Sequence, residues 1–132
     1  MDEIHVVGAA IRDGERILTA QRSEKMDEAM KWEFPGGKVE KNETHKEALK
    51  RELREELDIK VDVGEHIATG YSLKDDRKIV LHVYNANITS GRLVVKEHKQ
   101  VKWIKVCDIM DMDWAEADVP ACRKILENEG LI

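Results

Sequence analysis

The sequence predicts an α/β fold of the α+β kind, in which helices pack on a mixed β-sheet. Two observations predict it: apolar segments of strand length follow one another along the chain, and two helical segments occur among and after them. The 132 residues are 42% hydrophobic and 37% charged, which is the balance of a globular protein. Because no repeat or linker divides the chain, we predict one domain over residues 1–132.

Short strands and turns are predicted before the first helix. The pair Asp13-Gly14 between two apolar segments is a strong hairpin signal. Pro35 is followed by Gly36 and Gly37, a combination that ends a strand and opens a tight turn. Residues 23–31 are polar and predict a loop. The predicted strands of this part are residues 4–11, 16–21 and 32–34.

Residues 44–57 change to a helical pattern. Thr44 and Glu47 have the spacing of a capping box, and leucines then recur every four residues as an apolar stripe. A second helix is predicted to start at residues 118–120, with a proline in its first turn, and to continue over 121–129. The strands predicted between the two helices are residues 60–73, 77–88 and 100–106.

Charge and cysteine content exclude several classes of protein. The net charge of -5 is opposite to that of proteins that bind the backbone of duplex nucleic acid. Cys107 and Cys122 form neither a zinc motif nor a disulfide framework, and the acidic start and the short apolar segment 4–11 predict neither a signal peptide nor a membrane span. We therefore expect a cytoplasmic protein without nucleic-acid or membrane partners. An acidic protein that handles phosphates needs a cation as intermediary.

Three acidic residues of the predicted helix, Glu52, Glu55 and Glu56, share an arc of about 100° near its C-terminal end. Carboxylates about 5–6 Å apart repel one another, and the helix dipole disfavours anions at this end. One interpretation is a solvated face with ion pairs from Arg51 to Glu47 and Glu55. The other is a site for a hard divalent cation, and the absence of histidine and cysteine favours Mg²⁺ or Mn²⁺ over zinc. We prefer the cation site because the arc borders the leucine stripe.

The spacing of these acids resembles the Nudix box, Gly-x5-Glu-x7-Arg-Glu-U-x-Glu-Glu-x-Gly-U, in which U is a bulky apolar residue. The one departure is Asp58, where the family has glycine; aspartate tolerates the left-handed backbone expected there. Residues 20–22, 32–40 and 96–98 resemble the MutT-type branch, and residues 114–120 most resemble the bacterial CTP pyrophosphohydrolase group. The matching box residues are Gly37, Glu43, Arg51, Glu52, Leu53, Glu55, Glu56, Leu57 and Ile59.

The resemblance implies a Nudix-type α/β/α sandwich that hydrolyses a nucleoside triphosphate to the monophosphate and pyrophosphate. Mg²⁺, which Mn²⁺ can replace, is the implied cofactor, and one carboxylate accepts a proton from the attacking water. Glu52 is the first choice for that base and Glu97 the second. Arg51 and Glu43 are implied to pair. The implied metal-binding residues are Gly36, through its carbonyl, Glu52, Glu55, Glu56 and Glu97.

The same resemblance places Arg22 and Lys38 against phosphate oxygens, and Phe34 is a candidate for stacking on the base. Asp118 either caps the second helix or reads the base. An ionised carboxylate only accepts hydrogen bonds, so it favours the amino group of cytosine over the O6 acceptor of guanine. We therefore expect (d)CTP or a modified cytidine nucleotide as substrate, with 8-oxo-dGTP as the alternative and a non-catalytic nucleotide sensor as the distant one. The enzyme is expected to be a monomer or homodimer.

Overall fold

The computed structural model describes residues 2–132. The predicted strands and helices are present, with ends that differ by a few residues. One short strand at residues 36–38 and two short 3-10 helices, Val106–Asp111 and Glu116–Asp118, are additional. Within the described part, no helix combines the length and the apolar character that crossing a membrane requires. The elements are β1 (Asp2–Asp13), β2 (Arg16–Gln21), β3 (Trp32–Glu33), β4 (Gly36–Lys38), α1 (His45–Leu57), β5 (Ile59–Lys74), β6 (Arg77–Gly91), β7 (Gln100–Lys105) and α2 (Val119–Asn128).

The β-sheet is mixed, as predicted. Its hydrogen-bonded order is β3-β2-β1-β6-β5, with β4 also paired to β1 and β7 to β2. β1 runs parallel to β6 and antiparallel to β2 and β4. The predicted hairpin is confirmed, because Arg12 pairs with Ile17 across a turn in which Gly14 has a φ of 60°.

β1 separates two apolar cores because its alternate side chains face opposite sides of the sheet. Val7 and Ile11 belong to the core that contains Leu49 of α1. Ala10 belongs to the core on the other face, which contains Ile125 of α2. One helix therefore packs on each face, and the predicted sheet between helices is confirmed.

The predicted capping of α1 is confirmed at both ends. The Thr44 hydroxyl accepts a hydrogen bond from the Glu47 backbone N–H, and the Glu47 carboxylate accepts one from the Thr44 N–H. At the other end Asp58 is left-handed, with φ 61° and ψ 31°, and its N–H donates to the carbonyl of Leu53. Aspartate thus fills the position at which the Nudix pattern has glycine.

The predicted tight turn at residues 35–37 is wrong. Gly36–Lys38 forms β4, which pairs with β1 antiparallel. A Cβ atom on Gly36 would lie 1.9 Å from the carbonyl oxygen of Val7, so only glycine lets the two backbones approach this closely. A Pro-Gly-Gly sequence resembles a turn, and the close approach that it permits is visible only in the folded chain.

Four histidines, which show no ligand spacing in the sequence, meet beside the first turn of α1. Nδ1 of His5 and Nε2 of His82 share a hydrogen bond of 2.9 Å, and Nδ1 of His82 lies 3.1 Å from Oγ1 of Thr69. The same Thr69 oxygen is 2.8 Å from Nε2 of His66, and the ring of His45 stacks on that of His82 with centroids 4.3 Å apart. Burial and the neighbouring imidazoles lower the pKa of His82 to about 4.

We expect this histidine cluster to make the fold sensitive to mild acid. Because the pKa of His82 is lower in the folded chain than its ordinary value of 6.5, the unfolded chain binds more protons between these two values. The free energy of unfolding should therefore fall as the pH decreases, by about 1 kcal/mol from pH 7.5 to pH 5 once solvent screening is allowed for. Urea unfolding at the two pH values measures this loss.

The matched control is His82→Gln, which keeps a polar side chain and removes the titration. The difference in stability between pH 7.5 and pH 5 should be smaller in the variant than in the wild type. An equal difference in both proteins would contradict the assignment to His82.

Candidate active site

Of the acidic residues of α1, Glu56 lines a cleft of about 810 Å³, together with Gly36 and Gly37 of β4. The carboxylate of Glu52 lies against β4, since a Cβ on Gly37 would be 2.3 Å from its Cδ. The side chain of Glu52 is 12% exposed, whereas that of Glu55 is 60% exposed. The three acidic residues therefore differ in exposure: Glu52 and Glu56 are partly buried, whereas Glu55 extends into solvent.

Arg51 ties α1 to β4 and the loop that follows it. Its guanidinium forms the predicted pair with Glu43 as a bidentate contact, with N–O distances of 2.7 and 2.9 Å. It also donates to the carbonyl of Lys38 at 2.9 Å and to the carboxylates of Glu52 at 2.9 Å and Glu55 at 3.2 Å. The hydrogen bond from Arg51 holds the pKa of Glu43 below its usual value. Arg51 thereby fixes the orientation of Glu52.

Glu56 is surrounded by other carboxylates whose negative charge is not compensated. Burial, the charges of Glu52 and Glu97 and a hydrogen bond with Glu52 raise the pKa of Glu56 to about 8. A cluster that retains a proton near neutral pH offers a divalent cation a favourable place, because the cation can take the place of that proton. Within residues 2–132 no three His, Cys, Asp or Glu side chains already converge on one ion position, so the carboxylates must rotate to bind one.

The cleft is also lined by an apolar side chain, Phe34, and a buried carboxyl group, Asp118. Phe34 is 3% exposed and packs on Trp114 with ring centroids 4.8 Å apart. Asp118 is 4% exposed, and its Oδ1 accepts a hydrogen bond of 2.9 Å from the backbone N–H of Phe34. Both residues line the cleft, and Phe34 does so as part of the core.

The structure corrects one expectation about Asp118 and bears on a second. Its side chain makes no capping hydrogen bond to α2, so the helix-cap interpretation is wrong. Burial and the nearby charge of Glu33 raise the pKa of Asp118 well above its ordinary value. A shift in this direction favours the protonated carboxyl group, which can donate as well as accept, so it weighs against the expectation of an acceptor-only group.

The cationic side chains around the cleft differ in position. Arg22 lines the cleft, and its Nη1 lies 2.5 Å from Oε1 of Glu33. Lys38 is exposed and lies outside this cleft, beside a separate shallow depression that His5 and His45 also line. Its phosphate contact therefore stays a prediction.

Four further residues of the cleft were missed by sequence reasoning. Lys74 and Arg77, at the turn between β5 and β6, line the cleft, and sequence gives no sign that this turn reaches it. Glu33 and His98 line it as well and pair with each other at 2.7 Å. A carboxylate between Trp32 and Phe34 in a short strand was the available signal for a buried charge.

Comparison with known proteins agrees with this geometry. The NUDIX domain family model matches residues 3–127. The chain is 41% identical over 120 residues to the CTP pyrophosphohydrolase of Escherichia coli K12, covering 91% of this chain and 89% of that protein. It is 45% identical over 96 residues to the 8-oxo-dGTP diphosphatase of Proteus vulgaris, covering 72% of this chain and 86% of that protein. The solution structure of the E. coli ORF135 protein superimposes with a TM-score of 0.84 at 37% identity, over 98% of this chain and 92% of that one. The chain therefore belongs to the NUDIX domain family and is a Nudix hydrolase.

Proposed function

We propose that this Nudix hydrolase converts a nucleoside triphosphate and water to the monophosphate and pyrophosphate. Its cofactor is Mg²⁺, which Mn²⁺ can replace. The nucleoside triphosphate is (d)CTP or a modified cytidine nucleotide. One observation carries the proposal. A single cleft joins Glu56, whose pKa is raised to about 8 by burial and by neighbouring carboxylates, to the buried pair of Phe34 and Asp118. A triphosphate needs charged surroundings and a base needs apolar ones, and residues of both kinds line this cleft.

The side chains at the acidic end fit a hard divalent cation, because they offer only oxygen ligands. We assign as ligands the carbonyl of Gly36 and the carboxylates of Glu52, Glu55, Glu56 and Glu97. A bound ion of this kind neutralises phosphate charge and lowers the pKa of a bound water.

The remaining roles follow from the contacts of each side chain. Glu52, held by Arg51 at 2.9 Å, is our first candidate to accept the proton of the attacking water, and Glu97 is the second. Arg22 enters the cleft and is assigned to the phosphates together with Lys38. Phe34 and Asp118 are assigned to the base.

Two substrates have support. The relative named CTP pyrophosphohydrolase covers most of this chain, and the buried Asp118 offers cytosine a hydrogen-bond partner. The alternative, 8-oxo-dGTP, is supported by the relative named 8-oxo-dGTP diphosphatase, which is 45% identical over 96 residues. The raised pKa of Asp118 agrees with it, because a shift in this direction favours the protonated carboxyl group, which can donate to the O6 acceptor of guanine.

A nucleotide panel tests the proposal. Pyrophosphate release should require Mg²⁺ or Mn²⁺, and kcat/KM should be highest for CTP or dCTP among CTP, the common deoxynucleoside triphosphates and 8-oxo-dGTP. Preference for 8-oxo-dGTP would establish the alternative substrate. Orthophosphate as the product would contradict the cleavage position.

The variant Asp118→Asn tests the base-reading role within the same panel. Asparagine retains an acceptor for the Phe34 N–H and loses the ionisable oxygen, so the ratio of kcat/KM for CTP to that for 8-oxo-dGTP should change by about 10-fold or more. An unchanged ratio would remove Asp118 from base recognition.

A further inference from the structure

The loop between β6 and β7, residues 92–99, carries Glu97, and its side chains are exposed except at two positions. Leu93 is half-buried and His98 is buried. The side chain of His98 is 3% exposed, an unusual burial for a histidine in a loop without regular structure. Because His98 is adjacent to Glu97, a candidate metal ligand, the contacts that keep its imidazole buried bear on the site.

One contact holds the imidazole. Nε2 of His98 lies 2.7 Å from Oε2 of Glu33 on β3. The pKa of Glu33 is lowered although burial alone would raise it, because hydrogen bonding from His98 and the charge of Arg22 outweigh burial. Glu33 is therefore the acceptor and Nε2 of His98 the donor. Among the described residues Nδ1 of His98 has no hydrogen-bond partner, so the contact with Glu33 is the polar anchor of the ring.

Glu97 lies between this anchor and a second one. On its other side Lys96 donates through Nζ to the carbonyl of Glu55 at 3.1 Å, near the end of α1. The loop therefore spans from α1 to β3, and Glu97 is held where its charge acts on Glu56. The other carboxylate oxygen of Glu33, Oε1, accepts a hydrogen bond of 2.5 Å from Nη1 of Arg22. The partly buried carboxylate of Glu33 thus connects the loop to a side chain of the cleft.

We infer that His98 is a positioning residue: by donating to Glu33, its imidazole fixes Glu97 opposite Glu56 for binding of a divalent cation. The inference rests on the proposed function, since it takes Glu97 to be a metal ligand. In this role His98 acts through Glu33 and does not bind the ion itself. Outer residues that orient metal ligands commonly contribute about 10-fold to 100-fold in metal affinity.

The test compares two substitutions of the same residue. His98→Leu fills the buried volume without a donor, whereas His98→Gln places an amide N–H close to the position of Nε2. We expect His98→Leu to weaken Mn²⁺ binding to the nucleotide-free protein by about 10-fold, measured by electron paramagnetic resonance, and His98→Gln to restore most of the affinity. Amide hydrogen exchange of residues 94–99 should be faster in His98→Leu than in the wild type. His66→Leu, which removes an exposed histidine that does not line the cleft, is the control and should bind Mn²⁺ as the wild type does.

Wild-type affinity in His98→Leu would overturn the inference, and so would a His98→Gln variant that binds as weakly as His98→Leu. Failure of the proposed function has a different signature. In that case the wild type itself would bind no Mn²⁺ or release no pyrophosphate, while hydrogen exchange would still report whether His98 anchors the loop.

Discussion

Glu56→Gln is expected to lower kcat by about 100-fold or more at saturating Mg²⁺, while the protein stays folded. The amide keeps the shape of the side chain and removes the negative charge that we assign to the cation. The stability of the variant should equal or exceed that of the wild type, because burial and the charges of Glu52 and Glu97 make ionised Glu56 unfavourable without an ion. Steady-state kinetics and urea unfolding measure the two effects.

The control for this substitution is Glu65→Gln, which removes one exposed carboxylate from β5. It should leave kcat unchanged, so a general effect of net charge is separated from the loss of a ligand. Turnover near the wild-type value in Glu56→Gln at saturating Mg²⁺ would remove Glu56 from the metal site.

Gly37→Ala is expected to lower kcat by about 100-fold through a steric effect on Glu52. The added Cβ would lie 2.3 Å from both Cδ and Oε2 of Glu52, so the carboxylate must leave its place and its contact with Arg51. The φ of Gly37 is outside the left-handed region, so alanine fits the backbone itself. Kinetics on the folded variant, with circular dichroism as the check of folding, tests the prediction.

Gly14→Ala is the matched control, since it has the opposite properties. Nothing lies within 4 Å of a Cβ there, but Gly14 has a φ of 60° in the β1–β2 turn. It should lose about 1 kcal/mol of stability with kcat unchanged. Equal kcat in Gly37→Ala and the wild type would show that Glu52 need not occupy the observed position.

Much of the fold could be predicted because its signals are local. The capping box of Thr44, the leucine stripe of α1 and the left-handed Asp58 depend on residues within a few positions of one another, and the structure contains all three. The pairing of β4 with β1 depends on a contact between Gly36 and Val7, far apart in the chain, and local turn signals gave the wrong answer. Pairing across the chain requires the folded structure.

The candidate site shows the same division. The spacing of Glu52, Glu55 and Glu56 places them on one helix face, but their unequal exposure depends on how Arg51 and β4 pack on α1. The raised pKa of Asp118 comes from burial, and a sequence contains no measure of burial. A residue type with a fixed spacing is predictable, whereas a pKa shift set by residues far along the chain is not.

Calorimetry with Mg²⁺ tests most directly whether the carboxylate cluster is a cation site. The wild type and Glu56→Gln are each titrated in the presence of a nucleotide analogue whose α–β bridge cannot be cleaved, and the heat of ion binding to the analogue alone is subtracted. The account predicts that the wild type binds the ion more tightly as the pH rises toward 8, because the pKa of Glu56 is about 8 and ion binding displaces its proton. It predicts much weaker ion binding by the variant. Equal uptake by both proteins, or none by the wild type, would contradict it.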